Sequence, residues 1–142
     1  MLESIGGNLS DVIELRLPPR GEYQSALRAL IGVLAGDLSF NYDQIIQLRV
    51  AVSEAFLWTI RRFDRTEAEF SPADIVIRFE TDPDWVRVST LAWTGVPRGL
   101  TTSEDAESEA LLESLVDDIT IINDENGEFL LSMIKYRLSP GP

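Results

Sequence analysis

Asn41-Tyr-Asp-Gln-Ile-Ile-Gln-Leu-Arg-Val-Ala-Val-Ser-Glu-Ala-Phe-Leu-Trp-Thr-Ile-Arg-Arg-Phe63 is the stretch on which the fold turns. Ile45, Leu48, Val52, Ala55, Phe56 and Phe63 recur at the 3.6-residue spacing of one helix face, so the stretch predicts a long amphipathic helix. Asn41 is its expected N-cap, with Asp43 in the first turn where the helix dipole favours a carboxylate. Upstream, Val12 to Leu17 reads as a short strand stopped by Pro18-Pro19, and Tyr23 to Leu38 as a helix carried by Leu27, Leu30, Ile31 and Leu34.

Downstream the pattern changes to strands. Ile75 to Phe79 and Val86 to Leu91 flank the turn residues Asp82-Pro-Asp84 and predict a hairpin. Trp93 to Ser103, with Gly95, Pro97 and Gly99, reads as a loop. Glu104 to Asp117 can be helical, with Ala110, Leu111, Leu112 and Leu115 as its apolar side. Ile119 to Ile122 and Glu128 to Leu138 are strands joined at Asn126-Gly127, a strong hairpin signal. The order β-α-α-β-β-α-β-β predicts an α+β two-layer sandwich, helices on one face of a mostly antiparallel sheet. One domain is expected over residues 1–142, with a loose arm at 1–10 and a tail at 139–142.

Composition excludes several kinds of chemistry. The chain has neither cysteine nor histidine, which removes disulfides, thiol nucleophiles, thiolate metal sites and the usual base near neutral pH. Catalysis would rest on carboxylates, Lys135, Tyr or Ser, or on a cofactor. Residues 1–10 carry no basic start and no long apolar run, so no signal peptide, no membrane span and a cytoplasmic location are expected. The net charge of -12 argues against direct nucleic-acid binding. Ten of the acidic residues fall between Thr101 and Glu128 without one Lys or Arg. Such a run reads either as a solvated face or as a docking surface for a basic partner.

Three segments carry a resemblance to a known family. Leu17-Pro-Pro-Arg-Gly-Glu-Tyr23 looks like the strand-to-helix opening of the bacterial anti-sigma serine kinases, members of the GHKL ATPase superfamily. Tyr42 to Ala55 is similar to the helix that leads into that family's N box. Leu111-Leu-Glu-Ser-Leu-Val-Asp-Asp-Ile119, with Ser132-Met-Ile-Lys-Tyr136, resembles its C-terminal third. The resemblance implies the Bergerat ATP-binding fold, which agrees with the element order.

It also implies a nucleotide site that this chain does not reproduce. The N box is Glu-x-x-x-Asn, its Glu activating the substrate hydroxyl and its Asn ligating magnesium. Glu54 stands at the first position and Trp58 at the second, and an indole has no oxygen to offer a cation. Trp58 should instead fill space meant for phosphates. At the adenine-recognising Asp stands Thr90; at the glycines of that box stand Ala92 and Thr94, with Gly95 one residue off. At the phosphate-covering Gly-x-Gly stand Ala106 and Ser108, among Glu104, Asp105, Glu107 and Glu109. Intact ATP binding, a bound metal or other cofactor, and enzymatic activity are therefore not expected, and Glu54 reads as a helix-surface carboxylate beside Arg61 or Arg62.

The function implied is partner switching without catalysis: binding of a sigma factor or a STAS-type anti-anti-sigma protein, in a homodimer as is usual in the family. Arg20, Glu22 and Tyr23 map to the family's partner-contact region. The alternatives are an active ATP-dependent serine kinase with divergent motifs and a small-ligand sensor that reuses the nucleotide pocket.

Overall fold

A computed structural model describes residues 11–64, 74–93, 102–124 and 126–138. The elements are β1 Asp11–Leu17, α1 Gln24–Asp37, α2 Tyr42–Asp64, β2 Ile75–Asp82, β3 Trp85–Trp93, α3 Ser103–Leu115, β4 Asp118–Asn123 and β5 Glu128–Tyr136, with a 3-10 turn at Gly21–Tyr23. Their order and the α+β fold class are those read from the sequence. The expected arm, the tail, Thr94, Gly95 and most of the segment between α2 and β2 lie outside the described residues.

All five strands form one antiparallel sheet in the order β1-β2-β3-β5-β4. Strand alternation gives the sheet two different faces. Ile77, Phe79, Val88, Phe129, Leu131 and Met133 point towards the helices and are fully buried or nearly so. They pack against Leu27 and Ile31 of α1, Leu48, Val52 and Phe56 of α2, and Leu112 of α3.

The opposite face carries three rows across all five strands: Arg16-Val76-Leu91-Leu130-Ile122, Glu14-Arg78-Ser89-Ser132-Thr120, and Val12-Glu80-Arg87-Ile134-Asp118. Together they floor a trough of about 600 Å³.

Local signals set the element ends. Asn41 Oδ1 accepts from Gln44 N at 2.8 Å while Gln44 Oε1 accepts from Asn41 N at 3.3 Å, so the expected N-cap is half of a reciprocal capping box. Pro83-Asp84 turns the β2–β3 hairpin between the paired residues Asp82 and Trp85. The second hairpin is wider than a two-residue Asn-Gly turn: Asp124 N bonds Glu128 O, and Gly127 takes φ 87°, open to glycine at no steric cost.

Helix α3 departs from the sequence reading. Its buried residues are Asp105, Ser108 and Leu112, while Leu111 is 39% exposed and Ala110 lies on the surface. Polar groups enter the interface because α2 supplies their partners. The acidic run is accordingly not a uniformly solvated face.

Candidate functional site

The C-terminal half of α2 and the start of α3 meet at a polar corner. Thr102 caps α3: its Oγ1 accepts from Asp105 N at 3.1 Å, and Asp105 Oδ2 accepts from Thr102 N at 3.2 Å. The same Asp105 oxygen lies 3.2 Å from Arg62 Nη1, an ion pair whose side chains are 4% and 2% exposed. Burial strengthens such a pair and makes each partner costly to remove alone. The guanidinium of Arg62 also stacks 5.0 Å from the centre of the Phe129 ring.

Arg61 ties the outer side of the corner. Its Nη2 donates to Ser108 Oγ at 2.5 Å, and its Nε lies 2.8 Å from the Glu104 carboxylate. Ser108 Oγ in turn donates to Glu54 Oε2 at 2.7 Å, and Glu54 lies 3.7 Å from Arg61 Nη1. Glu54 therefore pairs with Arg61 and not with Arg62. The hydroxyl of Ser108 stands between a guanidinium and a carboxylate.

Behind the corner lies a cavity of about 280 Å³ lined by Trp58 and Phe129, by Arg62, and by Asp105 and Ala106 of α3. Trp58 is 4% exposed, with its ring 5.6 Å from that of Phe129 at a tilt of 59°. Its indole nitrogen is buried without a hydrogen-bond partner among the described residues. On β3, Thr90 is fully buried with its Oγ1 3.2 Å from Thr59 Oγ1. Because the Thr59 hydroxyl donates to Ala55 O at 2.9 Å, Thr90 is the donor between them. Ala92 is 3% exposed.

The structure thus gathers Glu54, Trp58, Ala106 and Ser108 at the α2–α3 corner, with Thr90 and Ala92 beneath it on the helix-facing side of β3. The set does not fit magnesium and ATP as the resemblance would have them held. Trp58 offers no oxygen, Thr90 spends its hydroxyl on Thr59, and Ala106 and Ser108 are inside a continuous helix instead of a glycine loop.

Arg20, Glu22 and Tyr23 stand together at the start of α1. Arg20 and Glu22 form an exposed pair at 3.9 Å, and Tyr23 packs against the core. A β-carbon placed on Gly21 would lie 3.6 Å from Leu57 of α2, so this segment sits beside the middle of α2. Sequence reasoning missed the Arg62–Asp105 pair. Its signals were the Thr-x-x-Asp capping pattern at 102–105 and two consecutive arginines ending α2 opposite a helix without bases.

No protein-family model matches the chain. The serine-protein kinase RsbW of Staphylococcus epidermidis is 27% identical over 142 aligned residues, covering 89% of this chain and 87% of that protein. RsbW of Listeria innocua is 28% identical over 145, covering 90% and 88%. RsbW of Bacillus subtilis is 38% identical over a shorter stretch of 48, covering 34% and 30%. Among solved structures, that of the RsbU and RsbW domains of Rv1364c from Mycobacterium tuberculosis superposes with a TM-score of 0.67 at 17% identity. It covers 92% of this chain, which spans about a third (34%) of that longer polypeptide.

The described residues form an α+β domain whose fold is that of the RsbU and RsbW structure. Within that class, the chain is a homologue of the serine-protein kinases named RsbW, as its sequence resemblance implied. This corrects the expectation of a chain without enzymatic activity: the relatives that align along nearly its whole length are named as kinases. The residues at 58, 90, 92, 106 and 108 differ from those that the resemblance implies for a nucleotide site. No helix among the described residues is long and apolar enough to cross a membrane.

Proposed function

We propose that the chain is an anti-sigma-type regulator that controls transcription by partner switching, binding a sigma factor and a STAS-domain anti-anti-sigma protein in turn. One observation carries this reading: the alignments with RsbW proteins cover 89% and 90% of the chain. The Arg20–Tyr23 segment, exposed at the start of α1 and seated against α2, is the proposed contact for the partner. The open face of the sheet is the proposed seat of a second copy. It leaves Leu91 and Ile122 40% and 49% exposed along a row that no described helix covers.

The test is cross-linking and affinity capture from the native host, with the captured proteins identified by mass. A sigma factor or STAS protein cross-linked near Arg20 to Tyr23 supports the reading. Capture of neither counts against it.

A second reading, favoured by the relatives' name, adds serine phosphorylation of the STAS partner. Glu54, whose carboxylate accepts a hydrogen bond from the Ser108 hydroxyl, would then be the base. Labelled phosphate on the STAS protein, lost in Glu54→Gln, is its test.

A further inference from the structure

The outer flank of α2 and α3 carries an exposed apolar strip, Ile46, Val50 and Leu111, that none of these roles uses. The chain's one lysine, Lys135, donates to Gln47 Oε1 at 2.6 Å and to the Leu115 carbonyl at 2.7 Å, while Ser108 meets Glu54. Helix α3 therefore runs antiparallel to α2. Leu111, one turn before Leu115, falls beside Val50, one turn before Glu54.

Both are exposed, at 39% and 42%. Ile46 and Tyr42, one and two further turns along α2, are 37% and 76% exposed. Tyr42, Ile46 and Val50 stand at i, i+4 and i+8, a continuous apolar stripe left exposed among the described residues. Single exposed apolar residues are ordinary, but a contiguous stripe with a charged border marks an interaction surface.

The border is acidic at both ends. Beyond Leu111 the strip meets a hollow of about 300 Å³ lined by Glu54, Arg61, Glu104, Glu107 and Ser108, three carboxylates against one guanidinium. At the other end lies exposed Asp43 in the first turn of α2. Asp43 and Glu54 are about 16 Å apart along the helix axis, the length of roughly three helical turns.

We propose that the α2–α3 strip docks a short basic amphipathic helix of the protein partner, its apolar side on Ile46, Val50 and Leu111 and its Lys or Arg residues against the acidic ends. This rests on the partner-binding reading and names the partner's chemistry. A second copy of the chain does not fit, because none of its described helices is net basic: α1 has Arg28 against Asp37, α2 three arginines against three acids, and α3 no base. An acidic or anionic occupant would meet like charge at both ends.

The probe is a fluorescent Leu/Lys amphipathic peptide about fourteen residues long, with a Leu/Glu peptide of the same pattern as control. Binding is read by anisotropy at about 0.05 M and about 0.5 M salt. Val50→Ser with Leu111→Ser should weaken the Leu/Lys peptide by about tenfold, and Glu107→Gln should lower its salt dependence. Removing carboxylates elsewhere, as Asp11→Asn with Asp84→Asn, should change its affinity by less than about twofold.

A control variant as damaging as the strip variant, or a strip variant without effect, would mean diffuse capture by an acidic protein and would overturn the proposal. The native partner separates this from the broader reading. If it binds the Val50→Ser, Leu111→Ser chain as tightly as the wild type, the strip is excluded while partner binding stands. If the strip variant loses it, both are supported.

Discussion

Arg62 and Asp105 form a buried ion pair, Nη1 to Oδ2 at 3.2 Å, that fastens the end of α2 to the start of α3. Asp105 also closes the capping box of α3 through Thr102. One carboxylate thus fixes both where the helix begins and what it rests on. Asp105→Asn keeps a capping oxygen but removes the charge that faces Arg62, so it should destabilise by about 3–5 kcal/mol. Arg62→Met should cost a similar amount, and the double variant Arg62→Met, Asp105→Leu should recover much of the loss. Urea unfolding of the three proteins measures this. Additive single and double effects would show that the pair is not coupled.

Trp58 fills the cavity wall between α2 and Phe129. Trp58→Ala should cost about 3–5 kcal/mol, as for other fully buried aromatics. Trp58→Phe keeps a ring and discards a buried N–H that has no partner among the described residues, so it should cost only roughly 1–2 kcal/mol. Equal losses for the two variants would mean that the nitrogen has a partner whose loss matters.

The α1–α2 joint carries a local strain and a local support. Ser39 holds φ 64°, a left-handed conformation that a side chain opposes. Ser39→Gly should therefore stabilise by about 0.5–1 kcal/mol, whereas Asn41→Ala, which removes the cap of α2, should destabilise by about 1 kcal/mol. Thermal melts of the two variants should move in opposite directions.

The open sheet face gives the homodimer its own test. Leu91 sits on β3, the central strand, with Val76 and Leu130 as its cross-strand neighbours. Sedimentation equilibrium should show a dimer for the wild type and a monomer for Leu91→Glu, with the circular dichroism unchanged. A monomeric wild type would remove the second copy from this face.

The fold was legible because its periodicities are local. The stripe of α2, the two hairpins and the Asn41 cap each depend on residues within a few positions of one another. The buried side of α3 was not, because Asp105 and Ser108 are interior only by virtue of Arg61, Arg62 and Glu54, which lie more than forty positions away. Polar residues at core positions look like surface until their partners are placed. Of the positions assigned to the site boxes, Thr94 and Gly95 fall outside the described residues. Activity was the misjudged part: a donor set was read as lost from the residues at 58, 90, 92, 94, 106 and 108, while relatives aligned over 89% and 90% of the chain are named kinases.

Partner switching itself is the central claim, and competition tests it most directly. The captured sigma factor, labelled and bound to the chain, is titrated with the STAS-domain protein of the same host while release is followed by anisotropy. The account predicts full, saturable release by the STAS protein and weakened binding of both partners in Arg20→Ala, Tyr23→Ala. A stable complex of all three proteins, or a chain that binds neither, would contradict it.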